Sequence, residues 1–312
     1  MELTELRIVF MGTPEFAVAS LDALVKAGCN IVGVLTSPDK PAGRGMQLQQ
    51  SAVKKYAVEN SLHILQPEKL KSPEFLNELK ALNADLQIVV AFRMLPEVVW
   101  NMPPMGTINV HGSLLPKYRG AAPINWAIIN GEKETGVTTF KLKHEIDTGD
   151  ILLQQKITIR DNETAGELHD EMKAIGAVLL VKTVRGLSSD TLEEKPQDLN
   201  DEQPPHAPKI FTETCKIDWN RSCNEVYNLI RGLSPYPAAF TFLDEKKLKI
   251  FSATVELDSI SAPVITDKKT FLKFRCADGY LSLKEIQLEG KKKMSIEDFL
   301  RGYHFTEGIK II

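Results

Sequence analysis

The sequence predicts an α/β chain in two parts, an N-terminal domain on a parallel sheet followed by a small C-terminal β-barrel. Three observations carry that reading. Short apolar runs alternate with stretches of helical spacing up to about residue 184. A stretch without periodicity, rich in Asp, Glu, Gln and Pro, then interrupts the chain from Ser188 to Pro208. Beyond it, short alternating runs are joined by tight turns. Strands separated by helices favour a parallel sheet with right-handed crossovers, whereas strands separated by turns favour a barrel.

Each element follows from its pattern. Ile8–Met11 is a short apolar run closed by Gly12-Thr13-Pro14, and Phe16–Lys26 has helical spacing. Strands are expected at Ile31–Leu35, Leu86–Phe92 and Thr107–Val110, with helices at Ala52–Glu59, Glu74–Leu82 and Ile124–Asn130. The run Leu86–Phe92 is almost continuously apolar, as in a strand covered on both faces. Strands at Val137–Leu142 and Ile151–Ile159 lead to a long helix over Ala165–Val184. The domain boundaries read as 1–189, a linker at 190–208, and 209–312. In the last part, one helix at Asn224–Gly232 precedes strands at Phe240–Leu243, Leu248–Val255, Phe271–Cys276 and Tyr280–Leu288, an OB-like arrangement.

Composition excludes several classes. A chain of 312 residues, 43% hydrophobic, can bury a large core in each of two domains. The net charge of −3 provides no global field for a polyanion, so any nucleic-acid contact must be local. From residue 210 onward sixteen Lys and Arg stand against fourteen Asp and Glu, so a nucleic-acid surface would be one face of the barrel. Cys29, Cys215, Cys223 and Cys276 lack ligand spacing and read as reduced, mostly buried thiols. The histidines have no metal-ligand spacing, so no metal is expected. The N-terminus does not read as a signal peptide, and no apolar run suits a membrane span, which predicts a cytoplasmic protein.

Chemistry concentrates in Asn109-Val110-His111-Gly112-Ser113-Leu114-Leu115-Pro116 and in Asp147-Thr148-Gly149-Asp150. Residues i and i+2 of a strand share a face, so Asn109 and His111 should project together. The Gly112-Ser113 break puts them at the carboxyl end of their strand, the edge where open α/β sheets bind ligands. An amide can hold a carbonyl oxygen as charge develops on it. An imidazole can shuttle a proton, and a carboxylate hydrogen-bonded to that imidazole would fix its tautomer. Ser113 is not in a G-x-S-x-G elbow, so the set suits direct acyl transfer to an amine. Gly12-Thr13-Pro14-Glu15 is neither a dinucleotide fingerprint nor a P-loop and reads as a tight strand-to-helix turn.

Asn109, His111 and Asp147, with Ser113-Leu114-Leu115-Pro116 between them, resemble the signature of the folate-dependent formyltransferases. The resemblance implies a Rossmann-like catalytic domain, catalysis by those three polar residues, and 10-formyltetrahydrofolate as formyl donor. It also implies folate contacts from Ser113, Leu114, Leu115, Pro116 and Phe92. The same triad serves several acceptors, so other segments must distinguish them.

Gly12 to Ala17, Pro38-Asp39-Lys40-Pro41-Ala42-Gly43-Arg44-Gly45, Arg119 to Ile124 and Lys292-Lys293-Met294-Ser295 resemble the members that formylate methionine on initiator tRNA. In those members the Pro-Ala-Gly-Arg-Gly loop enters the acceptor arm and the barrel contacts the tRNA backbone. The resemblance, with the placing of the charges, implies tRNA contacts from Lys40, Arg44, Lys246, Lys247, Lys292 and Lys293, and action as a monomer in translation initiation. Arg93-Met94 and Met46-Gln47 depart from the common family pattern. Two rivals are an enzyme that formylates an amino-sugar nucleotide, and a non-catalytic folate- or RNA-binding module.

Overall fold

The computed structural model describes residues 2–42, 47–197, 203–257 and 262–305. The chain divides into two compact units. The first comprises Met1–Gly120, Gly136–Ile157 and His169–His206, and the second Ala121–Thr135, Thr158–Leu168 and Ala207–Ile312.

In chain order the N-terminal elements are β1 (Arg7–Gly12), α1 (Glu15–Lys26), β2 (Asn30–Leu35), α2 (Ala52–Glu59), β3 (Ile64–Leu65), α3 (Pro73–Ala81), β4 (Leu86–Val90) and β5 (Thr107–His111). They are followed by α4 (Pro123–Ile129), β6 (Glu134–Lys141), β7 (Ile151–Thr158) and α5 (Ala165–Ser188). One sheet runs β7-β6-β5-β4-β1-β2-β3. Strands β3, β2, β1, β4 and β5 are parallel. The chain order reverses direction between β1 and β4, the switch point at whose carboxyl ends open α/β sheets bind ligands.

Local chemistry explains the framework. Every residue of β4 is buried, as its continuous apolar run requires. The strand stops at Val90, not Phe92, because Ala91 turns left-handed at φ 47°. A Cβ on Gly12 would lie 2.6 Å from the Ala17 Cβ and 3.1 Å from the Val90 carbonyl oxygen, so only glycine lets α1 leave β1 this tightly. Helices α2 and α3 start on Ser51 and Ser72, whose hydroxyls accept from the Lys54 and Phe75 N–H groups.

The expected parallel sheet is mixed. Strand β6 pairs antiparallel with β5, matching His111 to Thr138 and Asn109 to Phe140. The reason is the fate of α4, which the spacing suggested as a crossover helix. It packs instead on α6 (Cys223–Leu233) in the second unit, where Asn125 Nδ2 donates to the Gly232 carbonyl at 2.7 Å. A Cβ on Gly232 would lie 2.6 Å from Ile129 Cγ1, so the two helices cross closely there.

The second unit continues with β8 (Ala239–Leu243), β9 (Lys246–Glu256), β10 (Val264–Thr266), β11 (Leu272–Arg275), β12 (Tyr280–Leu288), β13 (Met294–Ser295) and α7 (Ile296–Gly302). The strands form an antiparallel half-barrel in the order β8-β9-β12-β11-β10, with β13 beside β12. Its core takes Val226, Ile230 and Leu233 from α6 and Ile296, Phe299 and Leu300 from α7. A capping box of Ser222 and Glu225 starts α6. Strand β10 and helix α7 were not anticipated, being short and weakly periodic. All four cysteines are buried and unbridged.

Candidate active site

Strand β5 carries the centre of the site. Asn109 is half-buried and His111 buried, and their alternation puts both side chains on one face. No hydrogen bond of the Asn109 carboxamide is formed among the described residues. A half-buried amide with unused donors is equipped to hold an oxygen from outside the chain.

The two nitrogens of His111 are differently placed. Nε2 lies 2.9 Å from the Tyr118 main-chain carbonyl, which can only accept, so Nε2 carries a hydrogen. Nδ1 faces Asp147, whose Oδ2 stands 3.8 Å away. The edge of the Phe140 ring closes another side, with ring centroids 6.3 Å apart.

That geometry corrects one expectation. At 3.8 Å the Asp147 carboxylate does not accept a hydrogen bond from His111. The oxygen is committed to the Gly120 N–H at 2.9 Å. The tautomer is therefore set from the opposite side of the ring, by Tyr118, and Asp147 faces Nδ1 without bonding it. The Asp147 side chain is 14% exposed, so water screens that contact weakly.

The segment after β5 wraps around the imidazole. Ser113 is fully buried; its hydroxyl donates to the Lys117 carbonyl at 2.6 Å, and its own carbonyl accepts from Thr138 Oγ1 at 2.7 Å. Its hydroxyl thus braces the loop. Leu115 is buried at 3% exposure. Leu114, Pro116 and Phe92 are half-buried and present apolar surface. Behind Phe92, the Arg93 guanidinium lies 5.6 Å from its ring centroid and donates to the Pro67 and Glu68 carbonyls, tying the two loops together. Among the described residues no group of three His, Cys, Asp or Glu side chains could hold a metal ion.

Comparison with known proteins identifies the family. The formyl transferase family matches residues 6–184, and the formyl transferase C-terminal domain matches 209–304. The chain belongs to the formyl transferase family. It is 53% identical to the methionyl-tRNA formyltransferase of Azobacteroides pseudotrichonymphae genomovar. CFP2, over 97% of each chain. It is 55% identical to the protein of the same name from Parabacteroides distasonis, again over 97% of each. Its fold resembles a sugar 3N-formyl transferase crystallised in the presence of dTDP and 5-N-formyl-THF. That likeness has a TM-score of 0.68 at 20% identity and covers 94% of this chain and 100% of the other.

The basic residues of this formyltransferase vary in availability. Lys40 is exposed on the first of two short paired strands, Lys40–Ala42 and Gln47–Gln49; Arg44 lies outside the described residues. Lys246 and Lys292 are exposed. Lys247 sits with Nζ 4.2 Å from the Phe240 ring centroid. Lys293 pairs with Glu285 at 2.7 Å, so a phosphate would have to compete for it. Lys216, over the Phe242 ring at 5.9 Å, extends the Lys247 patch and carried no sequence signal. Equally invisible in sequence were the Tyr118 carbonyl and the Gly120 N–H, since every residue has such groups. Among the described residues, no helix is long and apolar enough to cross a membrane.

Proposed function

We propose that this chain transfers the formyl group of 10-formyltetrahydrofolate to the amino group of methionine on initiator tRNA, with Asn109, His111 and Asp147 as its catalytic set. The near full-length likeness to methionyl-tRNA formyltransferases supports the acceptor. One observation carries the chemistry: an Asn109 amide without a partner among the described residues shares a strand face with a histidine whose Nδ1, facing a carboxylate at 3.8 Å, is its uncommitted nitrogen among those residues.

The acceptor amine attacks the formyl carbon, a C–N bond forms, and the carbonyl electron pair moves onto oxygen. Asn109 donates to that oxygen as its charge grows. The proton leaving the amine passes to His111 Nδ1, and Asp147 stabilises the imidazolium. As the bond to the donor nitrogen breaks, that nitrogen keeps the electron pair and receives a proton from His111. The carbonyl then re-forms on the acceptor. Leu114, Pro116 and Phe92 supply the apolar surface against which a flat pterin would lie.

The half-barrel at 209–312 is assigned to the tRNA backbone through Lys246, Lys247, Lys292 and Lys293, and the loop holding Lys40 and Arg44 to the acceptor arm. Translation takes place in the cytoplasm, and the reaction needs one chain, so a cytoplasmic monomer is the working form. An amino-sugar nucleotide acceptor has support from the fold alone. A labelled formyl donor, offered charged initiator tRNA and amino-sugar nucleotides in parallel, decides the acceptor. Label appearing only in the sugar would overturn the proposal.

A further inference from the structure

The segment ending at Gln197 belongs, by composition, to a linker, yet it is bonded into the catalytic loop. Lys195 and Ile151 exchange both backbone hydrogen bonds, at 2.8 and 2.9 Å. Two residues later the Gln197 carboxamide uses its full hydrogen-bonding capacity. Nε2 donates to the Asp147 carbonyl and to the Gly149 carbonyl, both at 2.8 Å. Oε1 accepts from Arg119 Nε at 3.0 Å and from Nη2 at 2.6 Å.

We propose that Gln197 is a positioning residue for formyl transfer, clamping the loop around Asp147 so that its carboxylate stays at its working distance from His111. The inference rests on the catalytic reading of Asp147 above. Asp147 is held at φ 55°, a left-handed conformation that Asp adopts more readily than most non-glycine residues but that still leaves its carbonyl turned out of the local backbone pattern. Gln197 bonds the carbonyl of this left-handed residue itself. Just beyond, a Cβ on Gly149 would lie 1.5 Å from the Lys141 carbonyl oxygen, so the loop runs flush against β6 and has no room to settle inward.

The bonds close into a circuit. Arg119 holds Gln197, Gln197 holds the Asp147 main chain, and the Asp147 carboxylate accepts from Gly120, the residue after Arg119. Only a carboxamide of this length meets the demand, because it must donate twice and accept from a guanidinium. Glutamate would keep Arg119 but turn an oxygen towards two carbonyl oxygens. Leucine fills similar space and makes none of the bonds.

The test uses the full chain, with 10-formyltetrahydrofolate and charged initiator tRNA, in a double-mutant cycle. Gln197→Leu and Gln197→Glu should each lower kcat on the order of 10²-fold, the scale of a displaced catalytic group. KM for both substrates and the melting temperature should change little. In an Asp147→Asn background Gln197→Leu should add no further loss, because the two residues act through one contact. Should Gln197→Leu fail to fold, Gln197→Glu, which retains the Arg119 pair, carries the comparison. A crippled Asp147→Asn beside fully active Gln197 variants overturns the clamp and leaves the catalytic reading standing. Losses that multiply in the double variant also overturn it. A fully active Asp147→Asn removes the catalytic reading and the clamp together.

Discussion

Asp147 Oδ2 stands 3.8 Å from His111 Nδ1 while accepting a hydrogen bond from the Gly120 N–H, so the carboxylate faces the imidazole without a hydrogen bond to it. The other ring nitrogen is bonded to a main-chain carbonyl, which no side-chain substitution removes directly. This division of labour makes the side chains separable in experiment.

Replacing His111 with Ala should remove proton transfer and lower kcat by about 10²–10⁴-fold. Asn109→Ala should cost about 10²–10³-fold through the oxyanion. Neither side chain is assigned to the tRNA surface, so tRNA affinity by filter binding should barely change. A His111→Ala enzyme turning over near the wild-type rate would sink the assignment.

Asp147→Asn keeps an oxygen that can accept from Gly120 and removes the negative charge. The fold should therefore persist, with thermal unfolding close to wild type, while kcat falls by at least about 10²-fold, each tenfold being about 1.4 kcal/mol of barrier. If unfolding shifts and turnover does not, Asp147 is a structural residue.

Arg44 follows from the sequence alone, in a loop whose Pro41, Gly43 and Gly45 favour exposure. Arg44→Ala should weaken use of charged initiator tRNA by about 1–3 kcal/mol and leave folate binding intact. Arg44→Lys should recover only part, since lysine cannot copy a bidentate fork. If the contact is to phosphate, the logarithmic salt slope of tRNA binding falls by about one, and the defect shrinks as salt rises. Wild-type kinetics for Arg44→Ala would restore ground to the amino-sugar acceptor.

Two buried thiols give the second unit a pH dependence. Burial, then a hydrogen bond to Asp278, pushes the Cys223 thiol up to about 11. Cys276 is raised further, by burial and then by Cys223. Both folded values lie above the unfolded one of about 8.5, so their contribution is complete below that pH and is lost as pH rises through the folded values. Denaturant midpoints between pH 8 and pH 10.5, followed by tryptophan fluorescence, should fall more steeply for the wild type than for Cys223→Ala/Cys276→Ala. Equal slopes would remove the thiols from the account.

Much of the site was legible because its chemistry needs particular side chains at short spacing. Asn109 and His111 sit two apart on an apolar strand, which alone places them on one face at a sheet edge. The Gly12 turn and the β-hairpin at Asp244-Glu245 were legible for a similar reason, since each is a local demand on φ or on close approach. The internal bond of Ser113 was not legible, because a hydroxyl in a signature segment looks the same in sequence whether or not it is bonded to the Lys117 carbonyl. Gln197 was hidden inside a stretch whose composition resembles any solvated linker.

The amino-acid sequence by itself determined the order and type of the main elements, the placing of the amide and imidazole, and the family to which the chain belongs. Those properties are written in periodicities of two and 3.6 residues and in side-chain identities that act over a few positions. Tertiary structure alone decided that β6 turns antiparallel, that α4 packs on α6, and that Asp147 meets Gly120 before it meets His111. It also decided that the Tyr118 carbonyl bonds His111 and that Gln197 bonds the Asp147 main chain. These depend on main-chain groups common to every residue, brought together across 50 positions in the case of Gln197 and Asp147. Packing and hydrogen-bond satisfaction over the whole unit select such pairings, and no local pattern encodes them.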